Sequence, residues 1–457
     1  MMQSAPSPAY PLHLRLVMAV YRLLWRLGLP LMRVYLRRRG RRDPRYLLHW
    51  DERFGTGPVP GGPGLPGAVW VHAVSIGEMR SAVPLVRALL DRGERVVTTH
   101  LTPAGRQAAQ AAFGPEIAAG RVVARYLPVE VGAVWAALHD RHRPKLWLVM
   151  EIEIWPVMID QAALAGVPLV LANSQVPGKS WPRARALGRL IGHPVAGVAG
   201  VLAKSDRHAA RFRALGARDV RVAGELRFDQ PVPPAHVAAG LAVRTGLQRP
   251  VVTLASVVAG EEALYLDAIR LVQDRARHLG HAVPLFVWVP RAPELFDATF
   301  DLLAAARQRV VRRSVVLGPV LEGAVLEGAV PDADILLGDS FGEMYFYLAL
   351  CDLAVVGGGF VPKGAHNVIE PLALRKPVLV GPHVWTIEYP GEEARAAGVL
   401  EICADAAGLA ARIGALTADD AARAVVAGKA EAFFAAHAGA VARTMAALAP
   451  LLEERDG

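Results

Sequence analysis

Several side chains that could carry acid–base chemistry follow short apolar runs of this chain. Glu78 closes the motif Ser-Ile-Gly-Glu after one such run, and Glu151 and Glu153 come directly after another. Alternate residues of an extended segment point the same way, so these two carboxylates could act together. In a cleft, Glu78 could accept a proton from a hydroxyl group. Two alternatives stay open, a capping box at Glu78 and an ion pair at a domain edge for the other two.

A second group of residues favours the binding of a phosphate. The stretch Val355–His383 has an apolar run, three consecutive glycines, Lys363 and His366, and then a short helical and a second apolar segment. Backbone N–H groups of a glycine turn and of a helix N-terminus attract anions. The stretch therefore predicts a nucleotide site at the carboxyl end of a strand.

The polar residues that follow have two interpretations. Asn367 and Glu370 have the spacing of a capping box. Pro371 argues against it, because proline is favoured at the first position of a helix. We expect the helix to begin at Pro371, which leaves Glu370 to contact a ligand.

Three weaker motifs lie at other predicted strand ends. Arg227 could hold a carboxylate or a phosphate with its planar guanidinium group, or it could pair with Asp229. Arg291 follows an apolar run, where it could contact a nucleotide or mark a simple turn. Gly342 could let the backbone approach a phosphate just before a helix that opens at Glu343.

Composition limits the class of protein. The chain has 457 residues, 53% of them hydrophobic and 20% charged, which allows two or three domains with large cores. Its net charge of +9 suits an anionic partner. The only cysteines, Cys351 and Cys403, indicate no disulfide framework. The 14 histidines show no close ligand spacing, so we expect no metal and no cofactor.

The N-terminal region predicts a basic amphipathic helix. Residues 10–36 are apolar except for Arg15, Arg22, Arg26 and Arg33, which fall within about 40° of one another on a helix. We expect the helix to be interrupted at Pro30 and to lie on an anionic membrane surface, with its apolar face in the lipid. The alternative is a helix packed on the protein's own core with solvated arginines. A nucleic-acid partner is not expected, since the apolar face would stay exposed.

The rest of the chain alternates between strand and helix patterns, which predicts parallel sheets with helices on both faces. The pattern restarts after a loop-rich segment at 229–250, so the fold class is α/β with two Rossmann-like domains facing across a cleft. The expected divisions are a membrane-associated segment (1–50), an N-terminal domain (68–228), a C-terminal domain (245–420) and a helical tail (421–457). The expected strands are Val69–Ser75, Arg95–Thr99, Val122–Leu127, Leu146–Met150, Pro168–Ala172, Val198–Ala203, Val220–Val222, Val251–Ala255, Leu285–Val289, Ala333–Leu337, Leu353–Val356 and Val378–Val380.

Taken together, the motifs resemble a known family. HAVSIGE, MEIEIWP, GELRFD, VPRAPE, GDSFGEM and GGGFVPKGAHNVIEP, in this order, are similar to the 3-deoxy-D-manno-octulosonic acid (Kdo) transferases of lipopolysaccharide synthesis. The resemblance implies a GT-B fold, CMP-Kdo as donor, a lipid A precursor as acceptor and an inverting transfer without metal. It also implies attachment to the cytoplasmic face of the inner membrane.

The resemblance implies roles for particular residues. Glu78 would accept the proton of the acceptor hydroxyl, while Glu151 (or Glu153) and Arg227 would stabilise the transition state. Further candidates near the donor are Ser256, Lys363 and His366. The residues that would contact CMP are Pro290, Arg291, Gly342, Glu343, Met344, Asn367, Val368, Ile369 and Glu370.

The chain departs from the family pattern at several positions. It has Glu225 and Arg227 where Asn-Leu-Lys is usual, Gln175 where the family has arginine, and Val257-Val258 where Thr-His is usual. Glu130 often has aspartate in its place. Two other functions stay open on the sequence, a GT-B transferase of another nucleotide sugar or acceptor and a non-catalytic nucleotide- or lipid-binding protein.

Overall fold

The computed structural model describes residues 10–56, 64–318, 320 and 329–453. The chain forms two compact units. Unit 1 comprises Met1–Gln230 and Ala438–Gly457, and unit 2 comprises Pro231–His437. Each unit is an α/β structure built on one seven-stranded sheet in which every pairing is parallel.

The sheet of unit 1 has the strand order β3-β2-β1-β4-β5-β6-β7. The order reverses between β1 and β4, and in open parallel sheets ligands bind at the carboxyl ends of the strands beside such a reversal. The strands are β1 (Val69–His72), β2 (Val96–His100), β3 (Val122–Tyr126), β4 (Leu146–Met150), β5 (Leu169–Ser174), β6 (Gly200–Ala203) and β7 (Val220–Val222).

Helices cover both faces of this sheet, which explains why its strands are apolar on both sides. Val69 and Val71 face one core with α3 and α4, while Trp70 and Trp147 face another with α6, α7 and α9. The helices are α1 (Leu12–Gly40), α2 (Trp50–Phe54), α3 (Ile76–Asp91), α4 (Pro103–Ala112), α5 (Gly114–Ala118), α6 (Gly132–His142), α7 (Pro156–Leu164), α8 (Trp181–Ile191) and α9 (Asp206–Ala214).

Unit 2 repeats this architecture with the strand order β10-β11-β9-β8-β12-β13-β14, so its order reverses between β8 and β12. The strands are β8 (Val251–Val257), β9 (Leu285–Pro290), β10 (Val310–Arg312), β11 (Ile335–Leu337), β12 (Leu353–Val356), β13 (Val378–Val380) and β14 (Leu400–Ile402). The helices are α10 (Pro234–Thr245), α11 (Glu262–His278), α12 (Phe296–Ala305), α13 (Arg313–Val316), α14 (Met344–Leu350), α15 (Ile369–Ala373), α16 (Glu388–Ala396), α17 (Ala406–Ala418) and α18 (Asp420–His437).

The α/β class and the parallel sheets expected from the sequence are confirmed. Each of the 12 expected strands overlaps an observed one, and β10 and β14 were not expected. Both are three residues long and lie at the edges of the unit 2 sheet.

The expected interruption at Pro30 is wrong, because α1 runs unbroken from Leu12 to Gly40. A proline inside a helix leaves the carbonyl four residues earlier without its N–H partner. Pro30 is exposed. Water can therefore hydrogen-bond the freed carbonyl at this position, and the helix continues.

The N-terminal helix packs on unit 1 along a narrow face. Leu14, Met18 and Leu36 are buried. Two of the four arginines that share one face have partners within the unit. Arg22 pairs with Asp160, and the Arg33 guanidinium lies 5.2 Å from the centre of the Phe54 ring. The segment expected as a separate piece at 1–50 is thus part of unit 1 within its described residues.

The C-terminal region, expected as one helical tail, is divided between the units. The helix α18 belongs to unit 2, while the last helix, α19 (Ala440–Glu453), belongs to unit 1. Leu448 and Leu451 of α19 are buried in the core that α3 also covers. Within the described residues, only the stretch Asp420–Glu453 is long and apolar enough to cross a membrane by length and composition.

Asp229 fixes the start of α19. Its carboxylate accepts the N–H groups of Gly439 and Val441, both at 2.6 Å, and Arg443 of α19 donates to the carbonyl of Ala223 at 2.8 Å. Carboxylates that accept N–H groups at a helix start stabilise the helix. Asp229 therefore joins the end of the first Rossmann-like segment to the C-terminal helix.

We predict that Asp229→Ala lowers the free energy of unfolding by about 2 kcal/mol, because two N–H groups lose a charged acceptor. Urea unfolding followed by circular dichroism measures this. The matched control is Asp419→Ala, which removes an exposed carboxylate that accepts one N–H, from Ala422 at the start of α18. A loss for Asp229→Ala no larger than that of the control would contradict the assignment.

Candidate functional site

The strand order brings the acidic residues of unit 1 to one place. Glu78 follows β1 and Glu151 follows β4, the two strands between which the order reverses. Burial raises the pKa of Glu78, and the negative charges of Glu153 and Glu151 raise it further. The three carboxylates that the sequence singled out are therefore close together.

Glu78 is both a helix cap and a weak acid. Ser75 is the N-cap of α3 and accepts the N–H of Glu78 at 3.4 Å, while the Glu78 carboxylate accepts the N–H of Val74 at 2.8 Å. The capping alternative is thus present in the structure. Burial raises the pKa of Glu78 to about 7, although the Val74 N–H opposes the shift. A carboxylate with a pKa near neutrality suits general base catalysis.

Glu151 lies at a strained point of the backbone and is held by three donors. Its φ angle is 59°, in the left-handed region that non-glycine residues seldom adopt. Its carboxylate accepts hydrogen bonds from Lys204 (2.8 Å), Asn173 (3.0 Å) and Gln175 (3.1 Å). The three donors therefore hold the Glu151 carboxylate in one orientation at the end of β4.

Glu225 completes the same charged cluster. Its carboxylate lies 2.7 Å from the Lys204 ammonium and accepts a hydrogen bond from Asn173 at 3.0 Å. Lys204 and Arg227 lower the pKa of Glu225 to about 2 against the effect of full burial. The backbone N–H of Arg227 also donates to Glu225, at 3.3 Å. Arg227 thus lies beside this cluster. In the neighbouring Glu153, burial raises the pKa of the carboxyl group.

In unit 2 the glycine loop differs from the expected phosphate cradle. The carboxylate of Glu261 accepts the N–H groups of Gly358 at 2.8 Å and of Phe360 at 3.1 Å. A side chain at Gly359 would stand 2.8 Å from the backbone of Gly381. The glycines are therefore required by close backbone packing, and an internal carboxylate already occupies two of the loop's N–H groups. The prediction that this turn cradles a phosphate is wrong for these N–H groups.

Three cationic or basic side chains gather beside this loop. Arg291 and Lys363 lower the pKa of His366 to about 4, after the larger effect of burial. The Nε2 atom of His366 is buried without a hydrogen-bond partner. Lys363 is anchored by its ammonium, which donates to the carbonyl of Ala259 at 2.8 Å. Ser256, at the end of β8, has a φ angle of 60°. The cluster concentrates positive charge and favours an anion.

The helix after the loop begins at Ile369, two residues before the expected start. Pro371 is the third helical residue, where its missing N–H would have had no partner within the helix. The Asn367 side chain accepts the N–H of Ile369 at 3.1 Å, and Val368 is the N-cap. Glu370 also interacts with other groups of the protein. Burial raises the pKa of the Tyr345 phenol, and the negative charge of Glu370 raises it further.

The carboxylate of Glu343 is engaged within unit 2. It lies 3.2 Å from the guanidinium of Arg313 and hydrogen-bonds the hydroxyl of Ser340. Gly342 has a φ angle of 87°, which requires glycine, and Met344 opens α14. Phe341 and Gly342 are the exposed residues of this turn. Pro290 ends β9 beside Arg291.

Sequence reasoning did not identify three residues that organise the site. Lys204 and Asn173 lie at the ends of apolar strands, the same signal that identified Glu151, and they could have been found that way. Glu261 has no such signal, because it precedes a helix and its partners lie 97 and 99 residues away. In unit 1, Lys204 contacts the carboxylates of both Glu151 and Glu225.

Comparisons with known proteins agree with this architecture. A solved glycosyltransferase from Rickettsia africae aligns over 84% of this chain and 98% of its own, with a TM-score of 0.53 and 10% sequence identity. A UDP-GlcNAc 2-epimerase from Neisseria meningitidis aligns over 79% and 94%, with a TM-score of 0.51 and 12% identity. At such low identity, these likenesses establish the fold alone.

The sequence comparisons are more specific. A family model described as 3-deoxy-D-manno-octulosonic-acid transferase (kdotransferase) matches residues 48–230. A 3-deoxy-D-manno-octulosonic acid transferase of Bordetella pertussis is 37% identical over 94% of this chain and 98% of its own. The transferase of the same name from Haemophilus influenzae is 29% identical over 90% and 93%.

Fold and relatives together define a glycosyltransferase of the GT-B type. More specifically, the chain belongs to the 3-deoxy-D-manno-octulosonic acid transferase family.

We predict opposite pH dependences of stability for two of these carboxylates. The folded-state pKa of Glu78, about 7, exceeds its ordinary 4.5, so its stabilising protonated form is lost as the pH rises through 7. The free energy of unfolding of Glu78→Gln should therefore exceed that of wild type by on the order of 2 kcal/mol at pH 8. Below pH 4.5 the two proteins should have equal free energies of unfolding.

Glu225 supplies the matched comparison, since its pKa of about 2 lies below 4.5. Its stabilisation is present above pH 4.5 and is lost as the pH falls toward 2. The free energy of unfolding of Glu225→Gln should thus be lower than that of wild type at neutral pH. The difference should shrink as the pH falls toward 2. Urea unfolding at several pH values measures both variants. A constant difference between Glu78→Gln and wild type from pH 5 to 8 would contradict the assigned pKa.

Proposed function

We propose that this protein transfers Kdo from CMP-Kdo to a lipid A precursor, with inversion at the anomeric carbon. The observation that carries the proposal is the half-buried Glu78, with its pKa near 7, beside the charged cluster at the strand reversal of unit 1. The names of the relatives support the choice of sugar. Unit 1 would hold the acceptor and unit 2 the donor.

In this reaction Glu78 takes the proton of an acceptor hydroxyl. The hydroxyl oxygen forms a bond to the anomeric carbon of the donor, the bond from that carbon to the phosphate oxygen breaks, and CMP leaves with the electron pair. With a pKa near 7, a large fraction of Glu78 is ionised at neutral pH and still basic enough to assist. Burial is the main cause of that raised pKa, and the negative charges of Glu153 and Glu151 add to it.

Positive charge in unit 2 suits the donor, which carries a phosphate and a carboxylate. Arg291 and Lys363 both act on His366, whose pKa of about 4 leaves it neutral at neutral pH. An anion bound there would be attracted by the two cations, which would also stabilise the departing phosphate. We assign the nucleotide to the same region, with contacts from Pro290, the 342–344 turn and the 367–370 segment. Arg227 and Ser256 remain candidates at the two strand ends.

Purified protein given CMP-Kdo and a lipid A precursor should yield a product heavier by one or more Kdo residues, read by mass spectrometry. Glu78→Ala should lower kcat by about 100-fold or more, because the base is removed. CMP binding, measured by calorimetry, should not change. Asp206→Ala is the control, an exposed acid in the first turn of α9. Full transfer by Glu78→Ala would exclude Glu78 as the base, and no transfer by wild type would refute the proposed reaction.

We propose further that α1 attaches the protein to the cytoplasmic face of the inner membrane. The helix has a narrow buried face, and a broad apolar stripe remains exposed. Its members fall within about 140° of one another on the helix, and they are Leu12, Leu16, Val17, Val20, Leu23, Leu24, Leu27, Leu31, Val34 and Tyr35. Arg38, Arg41 and Arg42 at the end of the helix are exposed and suit anionic headgroups.

The double variant Leu23→Glu/Leu27→Glu should bind anionic vesicles at least about tenfold more weakly than wild type, because two leucines no longer enter the lipid. Vesicle co-sedimentation measures the bound fraction. Val425→Glu, an exposed valine on α18, is the control. Equal binding of the double variant and wild type would show that α1 is not the attachment site.

A further inference from the structure

The strand-end cluster of unit 1 contains one buried cation that the proposed chemistry has not used. The Lys204 ammonium, at the end of β6, lies 2.8 Å from Glu151 and 2.7 Å from Glu225, and its side chain is 2% exposed. A buried lysine without a partner would lose its proton or destabilise the fold. Here two carboxylates share the Lys204 ammonium group, and the positive charge of Arg227 also acts on Glu225.

The two carboxylates are not equivalent. The side chain of Glu225 is 1% exposed and that of Glu151 is 12% exposed. The Lys204 ammonium lies 2.8 Å from each oxygen of the Glu151 carboxylate, and Asn173 and Gln175 each donate to one of these oxygens. Glu225 is thus an internal partner, while the Glu151 carboxylate keeps an exposed edge toward a ligand.

We propose that Lys204 is a positioning residue of the transfer reaction. With Asn173 and Gln175 behind it, its ammonium fixes the Glu151 carboxylate so that the exposed edge accepts a hydrogen bond from the acceptor sugar beside Glu78. A carboxylate held by three donors keeps one orientation at little further entropic cost on binding. This inference rests on the proposed function, since it assigns unit 1 to the acceptor.

The competing explanation is that Lys204 serves the fold alone, by neutralising Glu225. The double variant K204M/E225Q separates the two roles. It removes both charges of that pair, so no unpaired buried ion remains on Glu225, and the glutamine oxygen can still accept from Asn173. If Lys204 served the fold alone, K204M/E225Q would recover both the stability and the activity that K204M loses.

We expect K204M/E225Q to recover most of the unfolding free energy lost by K204M while kcat/KM for the acceptor stays about 10- to 100-fold below wild type. The KM for CMP-Kdo should remain unchanged, because the donor is assigned to unit 2. Such a selective loss is not expected from a general weakening of the fold. Steady-state kinetics with each substrate varied in turn gives these values.

The chain offers a matched control at the opposite edge of the same sheet. Lys145, just before β4, is 5% exposed and pairs with Glu94 at 3.0 Å. K145M/E94Q also removes a buried lysine–glutamate pair from unit 1, but at the amino ends of the strands. Its kinetics should match wild type after any change in stability is accounted for.

A second variant keeps the test decisive if K204M/E225Q does not fold. Gln175→Ala removes one donor of Glu151 without touching Glu225, and it should lower kcat/KM for the acceptor by about threefold to tenfold. Wild-type acceptor kinetics in a folded K204M/E225Q, or in Gln175→Ala, would overturn the positioning role while leaving the proposed function intact. Absence of transfer by wild type would instead refute the proposed function itself.

Discussion

When parallel strands are buried on both faces, charged side chains lie mainly at the ends of the strands. A charge that is partly buried there needs a partner. In unit 1 a single ammonium group balances two carboxylates, and the position of Glu151 depends on that balance. In unit 2 the carboxylate of Glu261 is neutralised mainly by backbone N–H groups of the glycine loop. Pairing of this kind sets which groups are still available to a ligand.

The strands and the location of the site could be predicted because both depend on local patterns. Runs of apolar residues mark strands that are covered on both faces, and the polar residue after each run lies at the carboxyl edge where ligands bind. Glu78 and Glu151 were found in this way. Lys204 also follows such a run, but its pairing with Glu151 could not be predicted, because the two residues are 53 positions apart in the sequence. Only the order of strands in the sheet brings them together.

Proline misled the sequence interpretation twice, for related reasons. At Pro30 an exposed helix tolerated the loss of one hydrogen bond, and at Pro371 the missing N–H fell in the first turn, where no helical partner exists. The glycines after β12 misled it in another way. A glycine run permits the close approach of any group. Here the backbone of Gly381 and the side chain of Glu261 approach the glycines. The residue type alone does not say whether a ligand or the protein approaches.

The return of α19 to unit 1 has a consequence for how the chain is made. Ribosomes release the N-terminal segment first, yet the core of unit 1 lacks Leu448, Leu451 and Leu452 until the last helix emerges. Unit 2 is contiguous in sequence and can fold before α19 has been made. During that time part of the apolar surface of unit 1 remains uncovered. Unit 1 is therefore discontinuous, and a nascent chain that stops short of Ala440 would carry the candidate base on an incomplete core. The core of unit 1 is therefore complete only after α19 has been synthesised.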